Sequence, residues 1–477
     1  MAVLLNACSS QEAEIELQPI SLRSSIEPLA ERFEWARDTA LSYAHSDGDS
    51  VGLWYEAALP GREAFCMRDV SHQAVGAHFL GLDEHTRNML FQFARNISDE
   101  KDWCSYWEIT RNNAPADVDY RDDDAFWYNL PANFDVLDAS YRMYQWTGDP
   151  TYIEHPVFLN FYERTVSDFV QRWSLDSDEI VTRERYMNRE TVDLSDPYEY
   201  ARGIPSYHES SQGATQLGID LLSFQVAAYR SYAAILDKTN QPAKSTEYLS
   251  RAVRTSNLIT EVFWNEDIGQ FHELLLTDGS TAMGGGMQVY ALYNDAVPNL
   301  ERARIAATSI LNNDPGNIEM RSHYPEVLYR YGLYGEALDM LMLISDPETP
   351  RRTYPEVSFA VVGAIGTGLM GISPLEKGIS TLSRINTSDD WVELNYVTQG
   401  KSVYNLRHDG TTSSTLSVLS GEKLFWHATF SGNHESLVVN GRKLKANQKT
   451  DALGNPVTFI EIEVYPLEQI TISTLLD

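Results

Sequence analysis

The chain has 477 residues, 43% of them hydrophobic and 22% charged, which is enough to bury a large core and to form roughly two or three domains. Asp and Glu number 68 against 37 Lys and Arg, a net charge of −31. Such a surface repels nucleic acid and anionic membranes, so partners of that kind are excluded. Aromatic residues make up 11%, and rings with a polar tip suit the flat C–H faces of sugars as well as a core.

In chain order, Leu5-Asn6-Ala7-Cys8-Ser9-Ser10 is similar to a bacterial lipoprotein box, in which the cysteine carries the lipid. The expectation is a signal remnant and polar tether over 1–24, a lipid anchor at Cys8, and a periplasmic or cell-surface location; a chance match is the alternative. From about 25 to 373 the apolar residues recur at helical spacing. Ile26–Phe33 opens the first helix, and Leu82–Phe93 has an acidic first turn. Phe126–Trp146 is a long amphipathic run that stops at Gly148, and Asp149-Pro150 opens the next helix. Further helices are predicted over 151–173, 215–237, 242–264, 299–311, 332–345 and 357–371. Helical pairs joined by long polar loops, with no fixed repeat, favour a closed toroid over a solenoid. The pattern then changes to alternation, as in Trp391–Tyr396, Ser402–Leu406 and Phe459–Val464, and Asn440-Gly441 marks a hairpin turn. An antiparallel β-domain is therefore expected over 388–477. Cys66 and Cys104 have no zinc spacing, and sequence leaves open whether they pair.

Gly61–His72, containing Arg68-Asp69, resembles the Arg-Asp segment near the start of the barrel in six-hairpin glycosidases. Phe134–Asp149 is similar to the helix end of those enzymes, and Tyr354-Pro355-Glu356-Val357 running into Phe359–Ile372 looks like their closing helix. The acidic stretch that follows Arg-Asp in the rhamnosidases is missing here. The resemblance implies a mostly α chain. It comprises an (α/α)6 barrel of helical hairpins over 25–375 and a small C-terminal antiparallel β-sandwich, with glycoside hydrolysis as the activity.

That chemistry needs two carboxyl groups, one to protonate the leaving oxygen and one to activate water or attack the anomeric carbon. Asp69 follows Arg68 and precedes His72, an acid beside two cationic groups on one helix start. Glu209 stands in the polar loop Ile204–Gly213 beside Tyr207 and His208. Tyr-Pro-Glu-Val occurs at Tyr324–Val327, after Arg321 and His323, and again at Tyr354–Val357, after Arg351 and Arg352. In both copies the proline is expected to start a helix and hold the glutamate in the first turn, where the helix dipole favours the carboxylate. Glu356 is the expected general base, with Glu326 the lesser candidate. Trp127 and Tyr128 are candidate sugar-stacking residues. The run Asp122–Asp124 reads as a solvated loop, and Met283–Met287 as a flexible turn. Arg68, Arg202, Arg321, Arg351 and Arg352 near these loops point to an acidic sugar such as a uronate, bound at the end of an oligosaccharide. A polyuronide lyase using Tyr207 with His208, or His323 with Tyr324, is the competing chemistry, and a non-catalytic glycan-binding lipoprotein the competing class. No phosphate loop, zinc motif or nucleophile elbow occurs, so no cofactor is expected.

Overall fold

The computed structural model describes residues 18–46, 48–209 and 214–474. The lipoprotein-like box with Cys8 lies outside these residues.

The helical part holds α1 (Leu29–Ser42), α2 (Met67–Phe79), α3 (Asp83–Arg95), α4 (Pro131–Thr147), α5 (Pro156–Arg164) and α6 (Ile219–Lys238). It continues with α7 (Pro242–Phe263), α8 (Gln288–Tyr293), α9 (Leu300–Asn312), α10 (Ile318–Arg330), α11 (Tyr334–Ser345) and α12 (Pro355–Gly363). Proline starts α4, α5, α7 and α12 at the first turn, where its missing N–H costs nothing. Gly148 ends α4 in the left-handed conformation with φ 67°, as the sequence predicts for a helix C-terminus.

Packing alternates between inner and outer helices. The inner helix α2 packs on α4, α4 on α6, α6 on α8, α8 on α10, α10 on α12, and α12 returns to α2. Outside them, α3 packs on α2, α7 on α6, α9 on α8, α11 on α10 and α1 on α12. Burial follows this order. Every residue of α12 is buried, whereas α7 buries only Ser245, Ala252, Thr255, Ser256, Ile259 and Phe263. The return from α12 to α2 is close: a methyl group on Gly76 would stand 2.1 Å from the Phe359 carbonyl oxygen.

Strands β2 (Ser373–Leu375), β3 (Gly378–Leu382), β4 (Trp391–Gln399), β5 (Ser402–Asp409), β6 (Ser413–Ser420) and β7 (Leu424–Ser431) follow the helices. They lead to β8 (Ser436–Val439), β9 (Arg442–Lys445), β10 (Asn447–Thr450), β11 (Pro456–Val464) and β12 (Gln469–Thr474). One sheet has the order β1-β4-β5-β6-β12-β8-β9, where β1 is Ser21–Ser24; the other runs β2-β3-β7-β11-β10. Side chains alternate between buried and open along β5 and β6, which is the period-two signal of the sequence.

Two expectations need correction here. Residues 21–24 are not tether: they pair antiparallel with β4, Ser21 opposite Asn395, and shield that sheet edge. The β-region starts at Ser373, before 388, because β2 and β3 extend the second sheet. It is not wholly antiparallel, since β3 runs parallel to β7. Cys66 and Cys104, whose pairing the sequence leaves open, are both buried and free. The helical part and the sheets share one apolar core, and Gln399 Nε2 donates to the Trp146 carbonyl at 2.7 Å across their junction.

Candidate active site

A cavity of about 350 Å³ opens at the end of the helical part where α2, α10 and α12 begin. Its volume lies within the range of small-molecule sites, about 300–1,000 Å³. Carboxyl groups dominate its lining: Asp69, Glu108, Asp119, Glu209, Glu319 and Glu356, with Arg62 and Arg68 as the cations and Trp107, Trp127 and Tyr354 as the rings.

Each acid reaches the cavity for a local reason. Asp69 sits in the first turn of α2 and Glu356 in the first turn of α12, two helices that cross closely at Gly76 and Phe359. The two carboxyls act on each other, and Glu356 is the one held toward its protonated form. Burial first, then the Asp69 charge, pushes Glu356 well above the usual carboxylate range. Asp69 is raised by burial and pulled back by Arg68. The helix dipole does not decide the state of Glu356, as the sequence reading expected. Burial in the company of a second carboxyl outweighs it, because the dipole acts at about 0.3–1 kcal/mol and desolvation at several. Arg68 donates to Asp69 at 3.1 Å and to Glu319 at 3.3 Å, and Arg351 donates to Glu319 at 2.8 Å. Glu319 itself follows the Asn317 cap of α10.

Glu209 lines the same cavity from the loop after Tyr207. Burial raises its carboxyl, while Arg68 and a hydrogen bond with Asn129 pull it back. Asn129 also donates to the Ser206 carbonyl at 2.8 Å and accepts from Trp127 Nε1 at 2.9 Å, so one amide fixes both the ring and the loop. Asp220, at the start of α6, anchors that loop from below, accepting from Ser206 Oγ at 2.9 Å and from the Tyr207 N–H at 2.5 Å.

The structure thus brings together Asp69, Glu209, Glu356, Arg68, Trp127 and Tyr354. It does not bring the other candidates to the cavity wall. Glu326 lies in the second half of α10, paired with Arg330 at 2.9 Å. Pro325 is inside α10 rather than at its start, so the first Tyr-Pro-Glu-Val is no helix N-terminus. His72 and His323 stack face to face at 3.5 Å, and Ser322 Oγ and the Glu319 carbonyl meet their ring nitrogens. Tyr324 is fully buried in α10. Tyr128 spends its hydroxyl on Asn133 at 2.5 Å, and Tyr207 on Asp135 at 3.0 Å. His208, half-buried, faces Gly285. Arg321 pairs with Asp314 at 2.6 Å, Arg202 with Asp102 at 2.5 Å, and Arg352 donates to the Ser345 carbonyl and lies over Trp35. The glycine turn is not loose: Glu273 accepts from the backbone N–H groups of Gly284, Gly286 and Gln288.

Sequence reasoning missed Glu108, Asp119, Arg62 and Glu319. For Glu319 a signal existed in Asn317-Ile318-Glu319, a capping residue followed by an acid in the first turn. Glu108 has none, because only the pairing of Glu108–Thr110 with Ala64–Cys66 carries it to the start of α2.

No family model matches the chain. No curated protein matches it in sequence. In structure it is similar to an α-L-rhamnosidase from Dictyoglumus thermophilum, with a TM-score of 0.59 and 13% identity over 96% of this chain and 50% of that one. It is similar to a GH78-family rhamnosidase of Bacillus sp. GL1, with a TM-score of 0.58 and 13% identity over 84% of this chain and 42% of that one. It is also similar to a putative kojibiose phosphorylase from the human microbiome, with a TM-score of 0.54, 10% identity, and 93% and 63% coverage. The chain spans half or less of the length of those two rhamnosidases. At such identities the likeness to these two rhamnosidases is one of fold alone.

Proposed function

We propose that the chain is a glycoside hydrolase that removes a neutral sugar from the end of an oligosaccharide, working in the carboxyl-lined cavity at the mouth of an (α/α)6 barrel. The cyclic packing of α2, α4, α6, α8, α10 and α12 supports the barrel reading. The observation that carries the function is the pair Asp69 and Glu356, two buried carboxyls from the first turns of α2 and α12 on the wall of a cavity that also presents Trp127 and Tyr354. Such a pair titrates as a unit. With one proton already held, its open carboxylate oxygen accepts a proton from water, which then attacks the anomeric carbon. Trp127 and Tyr354 offer ring faces to the sugar.

The acidic-sugar preference loses its support in the charge balance. Every arginine that suggested it is engaged by a carboxylate or a carbonyl, and six acids face two guanidinium groups in the cavity. An uncharged sugar meets no repulsion there, whereas a uronate would. The lyase alternative loses its support too, since Tyr207 and Tyr324 are buried at 3% and 0% exposure and His323 is stacked on His72. A cell-surface location remains a proposal resting on Leu5–Ser10 alone.

The test is a panel of aryl glycosides and oligosaccharides of neutral sugars and uronates, read by product NMR. Release of a neutral reducing sugar is expected. An unsaturated uronate product, or no release from any substrate, contradicts the reading.

A further inference from the structure

A second carboxyl pair stands in the same cavity. Glu108 lies on the strand Glu108–Thr110 directly opposite Cys66, the residue before α2. Asp119 follows on the next loop, where its carbonyl accepts the Trp127 N–H at 2.6 Å. Arg62 holds both: its Nη1 is 2.6 Å from Glu108 Oε2 and 3.6 Å from Asp119 Oδ2. Glu108 is almost fully enclosed, with its side chain 1% exposed, whereas Asp119 keeps 12% and faces the cavity. Among the described residues, Glu108 Oε1 and Asp119 Oδ2 are buried and make no hydrogen bond. Glu108 acts directly on the Asp119 carboxyl. A buried carboxyl oxygen short of a donor favours a protonated carboxyl, and the more accessible of the two is the one that can pass a proton on.

We infer that Asp119 is the general acid of the hydrolysis proposed above, with Glu108 beneath it and Arg62 beside it as positioning residues. The inference rests on that reading of the cavity. The groups facing Asp119 are Glu108, Arg62 and Glu209. Burial first, then the adjacent Glu108 carboxyl, push its carboxyl up to about 8, against the pull of Arg62. In the step, the Asp119 proton goes to the glycosidic oxygen as the bond from the anomeric carbon to that oxygen breaks. The leaving group departs as a neutral alcohol and Asp119 is left a carboxylate beside Arg62. Water forms the new bond to the anomeric carbon and gives its proton to the Asp69–Glu356 pair. Exchange with solvent restores both pairs.

The experiment compares Asp119→Asn with the wild type on two glycosides of whichever sugar the wild type releases, one with an alkyl and one with a dinitrophenyl leaving group. An acid is needed only where the leaving oxygen is basic. The alkyl glycoside should therefore lose at least about 10²-fold in kcat, while the dinitrophenyl glycoside stays within about 3-fold. Glu108→Gln should keep the alkyl reaction but move the basic limb of its pH profile to lower pH, because the charge that retains the proton is gone. Equal losses on both leaving groups, or none on either, overturns the assignment while leaving hydrolysis intact. No cleavage of any glycoside by the wild type overturns hydrolysis itself. A carboxyl carbon-13 titration of the wild type is independent of turnover: an Asp119 resonance moving near pH 8 supports the assignment, and one moving near pH 4 refutes it.

Discussion

The two Tyr-Pro-Glu-Val segments share four residues and almost nothing else. In Tyr354–Val357 the proline opens α12, and the glutamate is buried against Asp69 in the cavity. In Tyr324–Val327 the proline sits inside α10, where its missing N–H leaves a gap in the ladder, and the glutamate is tied to Arg330 one turn later. Local sequence sets what each glutamate is. The surroundings set what it does: α2 brings a second carboxyl to Glu356, whereas α10 itself supplies Arg330 to Glu326.

The sharpest way to probe the first segment is through its partner. Asp69→Asn and Glu356→Gln should each lower turnover by at least about 10²-fold, and the double variant should be no worse than either, because the two carboxyls act as a unit. Additive losses would show two independent roles. Next in size is the close crossing that holds the pair together. Gly76→Ala puts a methyl group on the Phe359 carbonyl and should cost about 3 kcal/mol in denaturant unfolding. An unchanged midpoint would mean that α2 and α12 pack less closely than described.

A smaller effect follows from pH. Asp119 is held at about 8 by burial and by Glu108, and Asp220 at about 7 by burial, against about 3.9 for an unfolded aspartate. The folded state keeps protons that the unfolded state has released. Stability from these groups is therefore full below about pH 4 and lost as pH rises through about 7 and 8. The melting temperature should fall between about pH 4 and about pH 8, and Asp119→Asn should flatten the last part of that fall, between about pH 7 and about pH 8. The smallest change belongs to the second segment. Glu326→Gln removes a pair spaced four residues apart on α10 and should cost about 0.5 kcal/mol.

The helices were legible because their apolar spacing and end signals are local. Pro242, Gly148 and Pro355 each mark a boundary that the structure keeps. Glu356 was legible for the same reason, as an acid after a proline before an apolar run. What the sequence hid is long-range. Nothing in Ser21–Ser24 names Trp391–Gln399 as its partner, and nothing in Trp107-Glu108-Ile109 says that Cys66 lies opposite. The protonation state of Glu356 was hidden likewise, since it depends on a residue two hundred and eighty-seven positions earlier in the chain, Asp69. Ion pairing was hidden too: nothing in the loops around Arg321 shows that Asp314 holds it.

The most direct measurement is the turnover of Glu356→Gln beside Glu326→Gln on one neutral glycoside, with both folds checked by melting. The account predicts a loss of at least about 10²-fold at position 356 and a change within about 2-fold at position 326. Near-normal turnover in Glu356→Gln, or a collapse in Glu326→Gln, would place the chemistry outside the carboxyl-lined cavity.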